Sequence, residues 1–260
     1  MISRLQILDF SFYSAKDVEI IAEFVLSDVW QDSEVLPLMV TPNVDQIVKL
    51  NRKENAELKI ELQKARWILP DGQPIVALSK IKFGKKGLRA RLTGSDFFPI
   101  IWKKLREDES KKVLCIIPRE DLGLRLEKER RNTCSYAPPF FKLENRAEFE
   151  LVMSKIMKLC TETSFDFVFV GLGFPKQEHI ALEMFKRLKE RDLPLPKTFL
   201  LGASFEFYLG TKKRAPKLYQ KLGIEFVYRA FTEPRRIAKR AFWDDLPFFG
   251  IAIAELRKKD

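Results

Sequence analysis

Residues 165–180 read FDFVFVGLGFPKQEHI, an apolar run that opens into a glycine-bearing turn and closes on a polar cluster. Phe165, Phe167, Val168, Phe169 and Val170 are aromatic or β-branched with almost no polar interruption. That composition predicts a strand covered on both faces, as in a parallel sheet. Gly171 and Gly173 allow a sharp turn or the close approach of a ligand to the backbone, and Pro175 suits the first turn of a helix running through Ile180, Leu182 and Met184. Lys176, Gln177 and Glu178 then lie at the carboxyl end of a strand, where open α/β sheets bind their ligands. The spacing is equally that of an ordinary strand-to-helix connection with a solvated KQE turn.

Outward from this stretch the same pattern recurs. Upstream, VLPLMVTPNVDQIVKL gives a strand at Leu38 to Val40, a corner at Thr41 and Asn43, and a helix carrying Ile47, Val48 and Leu50. Thr41 and Asn43 serve either local turn and cap bonds or a ligand. RWILPDGQPIVALSKI reads as a buried strand broken by the turn at Pro70, Asp71 and Gly72, and most such triplets are only turns. In RARLTGSDFFPIIWKKLRED, Ser95 or Asp96 is placed to cap an amphipathic helix. KKVLCIIPRED is a further strand followed by a charged helix, and NTCSYAPPFFKLEN a proline-rich loop with Phe140 and Phe141 folded inward. The spacing of Phe149, Val152, Met153, Ile156, Met157 and Cys160 predicts a helix packed on the core. Downstream, KTFLLGASFEFYLG repeats strand, glycine corner and helix, with Gly202 and Ser204 at the tip. At the amino end, RLQILDF reads as a strand and a helix begins near Ser14. Strands alternating with helices in this way predict an α/β, Rossmann-like fold with a largely parallel sheet.

The 260 residues carry 47 Lys and Arg against 36 Asp and Glu, a formal charge of +11 that favours an anionic partner. Basic residues are densest after residue 211, where they mix with Phe226, Tyr228, Phe231, Phe242, Trp243, Phe248 and Phe249. Such a mixture suits a membrane surface or single-stranded nucleic acid. Cys115, Cys134 and Cys160 are odd in number and widely spaced, which predicts reduced thiols, and a single histidine without a CxxC pair argues against zinc. The N-terminus MISRLQILDFSFYS lacks the layout of a signal peptide, and no window reaches about 18 apolar residues, so no spanning helix is expected.

Taken in order, TPN at 41–43, PDG at 70–72, TGSD at 93–96, GLGFPKQE at 171–178, GASFEFYLG at 202–210, KRAP at 213–216 and GIEFVYRAFTEPRRIAKR at 223–240 resemble the WecG/TagA/CpsF family of bacterial glycosyltransferases. The resemblance implies an inverting, metal-independent hexosyltransferase with no cofactor. It would move a sugar of the N-acetylhexosamine type, such as N-acetylmannosamine or its uronic acid, from a UDP-sugar to a polyprenyl-diphosphate-linked glycan acceptor. By motif position, Asp71 matches the general base, Thr41 and Asn43 the acceptor and reaction centre, and Gln177 the substrate pocket. Further substrate-binding positions are Gly171, Gly173, Pro175, Lys176, Glu178, Gly202 and Ser204. Arg229, Arg235, Arg236 and Arg240 would compensate the leaving diphosphate in place of a metal. The chain departs from the family pattern at Ile117, Pro118 and Arg119, where a Gly-Gly corner is usual, and at Ile180, Glu206 and Phe226.

The expectation is therefore an α/β core over residues 1–210 and a basic appendage over 211–260 that binds the membrane and closes on the site. The protein is placed in the cytoplasm, peripheral to the inner face of the cell membrane, with an anionic membrane surface as partner, no nucleic acid, and self-association left open. The competing readings are a family member that binds nucleotide sugar without turnover and a basic nucleic-acid-binding protein, the latter betrayed by salt-sensitive oligonucleotide binding.

Overall fold

The computed structural model describes residues 2–29, 34–213, 215–216 and 246–258. A two-stranded antiparallel hairpin, β1 (Ser3–Ile7) and β2 (Phe10–Ser14), precedes α1 (Val18–Ser27). The main sheet is built from β3 (Leu36–Val40), β4 (Ala65–Ile68), β5 (Val113–Ile116), β6 (Thr133–Tyr136), β7 (Phe167–Val170) and β8 (Lys197–Leu200). Its order is β4-β3-β8-β7-β5-β6, and every pairing is parallel. Between the strands run α2 (Val44–Leu50), α3 (Ala56–Gln63), α4 (Gln73–Phe83), α5 (Gly94–Glu107), α6 (Glu120–Glu129), α7 (Arg146–Glu162) and α8 (Lys176–Lys189). After β8 come the short α9 (Ser204–Tyr208) and, beyond the undescribed residues, α10 (Leu246–Arg257).

The apolar strands split their side chains between two cores, one on each face of the sheet. Leu38, Val40, Ile68, Leu114, Val168, Val170 and Leu200 join residues of α2, α3, α4, α7, α8 and α10 on one face. Met39, Trp67, Cys115, Phe167, Phe169 and Phe199 join α1, α5, α6 and α9 on the other. Period-two alternation with both faces buried is why these strands read as unbroken hydrophobic runs. Crossovers moving toward the β4 edge, namely α2 with α3, α7 and α8, use the first face, and α6, moving the other way, uses the second. A single crossover hand requires this division.

The second face is aromatic. Phe199 lies 4.9 Å from Phe169 and 5.4 Å from Phe97, and Phe98 lies 4.6 Å from Phe205, centroid to centroid. This cluster fixes α5 and α9 against the middle of the sheet, so the loops at its carboxyl edge stand on a rigid base.

Several expectations need correction. The first strand is half of a hairpin, because Leu8 and Asp9 take positive φ (55° and 63°) and close a two-residue turn, so α1 starts later, with Asp17 accepting from Ile20 N–H at 3.1 Å. After Pro70, Asp71 and Gly72 the chain forms α4 instead of a second strand; Pro74 falls in its first turn and Ile75, Val76 and Leu78 are buried along it. Thr93, not Ser95 or Asp96, caps α5, its Oγ1 accepting from Asp96 N–H at 3.0 Å. Thr133–Tyr136 is the edge strand β6 and not a loop. Phe141 is buried there as expected, whereas Phe140 is 81% exposed. The three cysteines are free thiols, Cys115 and Cys160 buried and Cys134 half-buried.

Candidate functional site

All the corners singled out in the sequence lie at the carboxyl edge of the one sheet. Thr41 and Asn43 follow β3, Asp71 follows β4, Gly171 to Glu178 follow β7, and Gly202 and Ser204 follow β8. The loop after β8 leads to α9 on one face, while those after its neighbours β3 and β7 lead to α2 and α8 on the other. Divergence of adjacent loops opens a crevice at this edge, the usual ligand position in open α/β sheets.

The corners are joined to each other. Asp71 N–H donates to Pro42 O at 3.2 Å, and Leu92 N–H donates to Pro70 O at 3.0 Å, so the PDG turn is held between the TPN turn and the segment entering α5. Asn43 forms a capping box with Gln46: its Oδ1 accepts from Gln46 N–H at 3.1 Å and its N–H donates to Gln46 Oε1 at 3.0 Å. A Cβ added at Gly94 would lie 3.3 Å from Ser204 Oγ and 3.5 Å from Thr41 Oγ1. The start of α5 thus comes up against hydroxyls from two different strand ends. Sequence reasoning quoted TGSD but left Gly94 out of the site; the motif itself was the available signal.

The corner after β7 is packed directly on the corner after β8. A Cβ at Gly171 would fall 2.5 Å from Phe205 Cδ2 and 3.0 Å from Gly202 O, so only glycine fits. Gly173 and Gly202 hold positive φ, 77° and 52°. The Phe174-Pro175 peptide is cis, and Pro175 occupies the position just before α8. Gln177 bridges the two corners, its Oε1 accepting from Gly202 N–H at 3.0 Å while its Nε2 donates to Glu178 Oε1 at 3.0 Å. Gln177 and Glu178 are 3% and 2% exposed, so they brace this corner from within. Burial pushes the Glu178 carboxyl up to about 7, against the Gln177 hydrogen bond that lowers it.

Lys176 points sideways. Its Nζ donates to Phe141 O at 2.6 Å and stands 4.6 Å and 4.5 Å from the centroids of the Phe140 and Phe141 rings. With Leu143, Leu172 and Phe174 these residues line a cleft of about 340 Å³ beside the corner after β7. At Ile117, Pro118 and Arg119, where the family pattern has glycines, Arg119 pairs with Asp121 through bonds of 2.9 Å and 3.0 Å on the exposed rim. Arg229, Arg235, Arg236 and Arg240 lie outside the described residues.

Such an edge offers backbone groups and hydroxyls to a ligand, and Asp71 places a carboxylate among them. Comparison with known proteins points the same way. The profile described as "Glycosyl transferase WecG/TagA/CpsF family" matches residues 5–260. An N-acetylglucosaminyldiphosphoundecaprenol N-acetyl-beta-D-mannosaminyltransferase of Staphylococcus aureus (strain MRSA252) is 26% identical over 226 residues, covering 85% of this chain and 81% of its own length. The enzyme of the same description from strain NCTC 8325 / PS 47 is 27% identical over the same shares.

Proposed function

The chain belongs to the WecG/TagA/CpsF family of glycosyl transferases, and on that footing we propose that it moves an N-acetylmannosamine-type sugar from UDP to a polyprenyl-diphosphate-linked N-acetylglucosamine. The observation that carries this reading is the convergence of the TPN, PDG, TGSD, KQE and GAS corners on one crevice at the sheet's carboxyl edge. In the reaction Asp71 takes the proton from the acceptor hydroxyl as that oxygen bonds to the anomeric carbon. The bond from that carbon to the diphosphate breaks on the opposite side, UDP leaves, and the configuration inverts. Thr41, Asn43 and the backbone around Gly171, Gly173 and Gly202 hold the sugar and diphosphate, while the Ser204 hydroxyl, 2% exposed and donating to Leu201 O at 2.6 Å, braces the corner after β8. The cations assigned to the leaving group are Arg229, Arg235, Arg236 and Arg240, a metal-free arrangement.

In this reading residues 1–210 are the catalytic core and 211–260 the basic appendage, which works at the inner face of the cell membrane. Among the described residues no helix is long and apolar enough to cross a membrane. The outer face of α10 exposes Leu246, Phe249, Ile253 and Leu256, an apolar stripe on a chain of net charge +11, which suits an anionic lipid surface. Phe248 is corrected: it packs into the core instead of facing outward.

The test is UDP release from a panel of UDP-sugars with a short-chain lipid-diphosphate N-acetylglucosamine acceptor, with and without chelator. Release that needs the acceptor and survives the chelator supports the reading. No release from any donor, or release restored only by added manganese, contradicts it.

A further inference from the structure

The Gln177 amide is oriented from both ends. A backbone N–H can only donate, so Gly202 requires the oxygen of Gln177, and the opposite amide nitrogen must then find an acceptor. Glu178 Oε1 is that acceptor, at 3.0 Å. Glu178 is buried all but 2%, and its Oε2 is buried without a hydrogen-bond partner among the described residues. A buried carboxyl with one oxygen unpaired is unfavourable for stability, and such groups cluster where function requires them. Its side-chain partner is the residue that ties the corner after β7 to the corner after β8.

We propose that Glu178 is a positioning residue for the transfer reaction, acting through Gln177 to hold these two corners at the spacing the donor needs. This rests on the reading of the crevice as a donor site. Burial raises the carboxyl to about 7, so about half of it still holds its proton at neutral pH, and cations of the adjoining elements are engaged elsewhere. Lys176 on the same turn bonds Phe141 O, Lys59 on α3 bonds Asp9, Arg187 pairs with Glu150 of α7, and Lys197 of β8 bonds Val25 O. His179, half-buried beside it, is held below its ordinary range by desolvation.

Glu178→Ala removes the acceptor, and Glu178→Gln keeps an acceptor oxygen and the neutral state. Glu178→Ala should lower kcat/KM for the UDP-sugar about 10- to 100-fold, the scale of a misplaced binding element. It should also speed hydrogen exchange at the Gly202 amide. Glu178→Gln should recover most of both and lack the decline in rate expected of the wild type as pH rises through about 7. In a Gln177→Ala background, Glu178→Ala should add little, because the two act as one unit. Wild-type kinetics and exchange in Glu178→Ala would overturn the proposal, as would additive losses in the double variant. If Glu178→Ala does not fold, Glu178→Gln decides, and a wild-type pH profile in that variant overturns it. A wild-type protein that binds no UDP-sugar defeats the donor reading itself, while exchange at Gly202 still reports whether Glu178 and Gln177 are coupled, so the two failures are distinguishable.

Discussion

Asp71 stands where the turn after β4 is hydrogen-bonded to the turn after β3, its N–H on Pro42 O. Asp71→Asn preserves the shape of that turn and removes the carboxylate proposed as the base, so turnover should fall about 10²-fold while UDP-sugar affinity, measured by calorimetry, stays constant. An unchanged turnover would take Asp71 out of the mechanism. Glu178 makes a separate prediction about stability. Its folded value of about 7 lies above the ordinary 4.5, so between those values the folded chain holds a proton that the unfolded chain has released. Stability from this group is therefore greatest below about 4.5, falls as pH rises toward 7, and is flat above. Urea midpoints of wild type minus Glu178→Gln should decline across that window, and a flat difference would contradict the buried neutral carboxyl. The sequence placed Gln177 and Glu178 at the right corner, but not their division of labour. That depends on a bond between positions 177 and 202, which only the folded sheet brings together.

Among the elements, those buried on both faces were legible because burial decides them: β7, β5 and β3 are apolar throughout, and β8 enters on Lys197 and Thr198 but runs on into the apolar Phe199 to Leu201. β6 escaped because an edge strand with half-buried residues, TCSY, carries no such run. The hairpin escaped because its turn uses Leu8 and Asp9 where glycine or asparagine is the usual signal. α4 escaped because its helical period begins inside what looks like the second half of a broken strand. For α10 the sequence suggested that Phe248 and Phe249 both face a lipid interface, and only Phe249 is exposed. Phe248 faces the core, and Glu255 pairs with Lys82 of α4 at 3.0 Å, so one side of the helix is already committed. Phe248→Ala should destabilise the protein by about 3 kcal/mol, read from urea unfolding. Phe249→Ser with Ile253→Ser should leave stability within about 0.5 kcal/mol, as exposed substitutions do, and weaken sedimentation with anionic liposomes. Equal liposome binding by that double variant would remove α10 from the membrane contact.

Across the whole molecule, a parallel sheet with a single crossover hand sends the corners that follow its strands to one edge, and residues as far apart in the chain as Gly94 and Ser204 become neighbours there. On the proposed reading, the positive charge and the outward face of α10 serve one end, since an acceptor anchored in lipid would have to be met at a surface. The direct measurement is chromatographic and mass-spectrometric detection of the lipid-linked disaccharide formed from a UDP-N-acetylhexosamine and the lipid-diphosphate N-acetylglucosamine acceptor, with the anomeric linkage read by NMR. The account predicts a β-linked product from the α-linked donor with wild-type protein and about a 10²-fold slower yield with Asp71→Asn. Retention of the donor's configuration, or UDP release by hydrolysis with no sugar on the lipid, would contradict it.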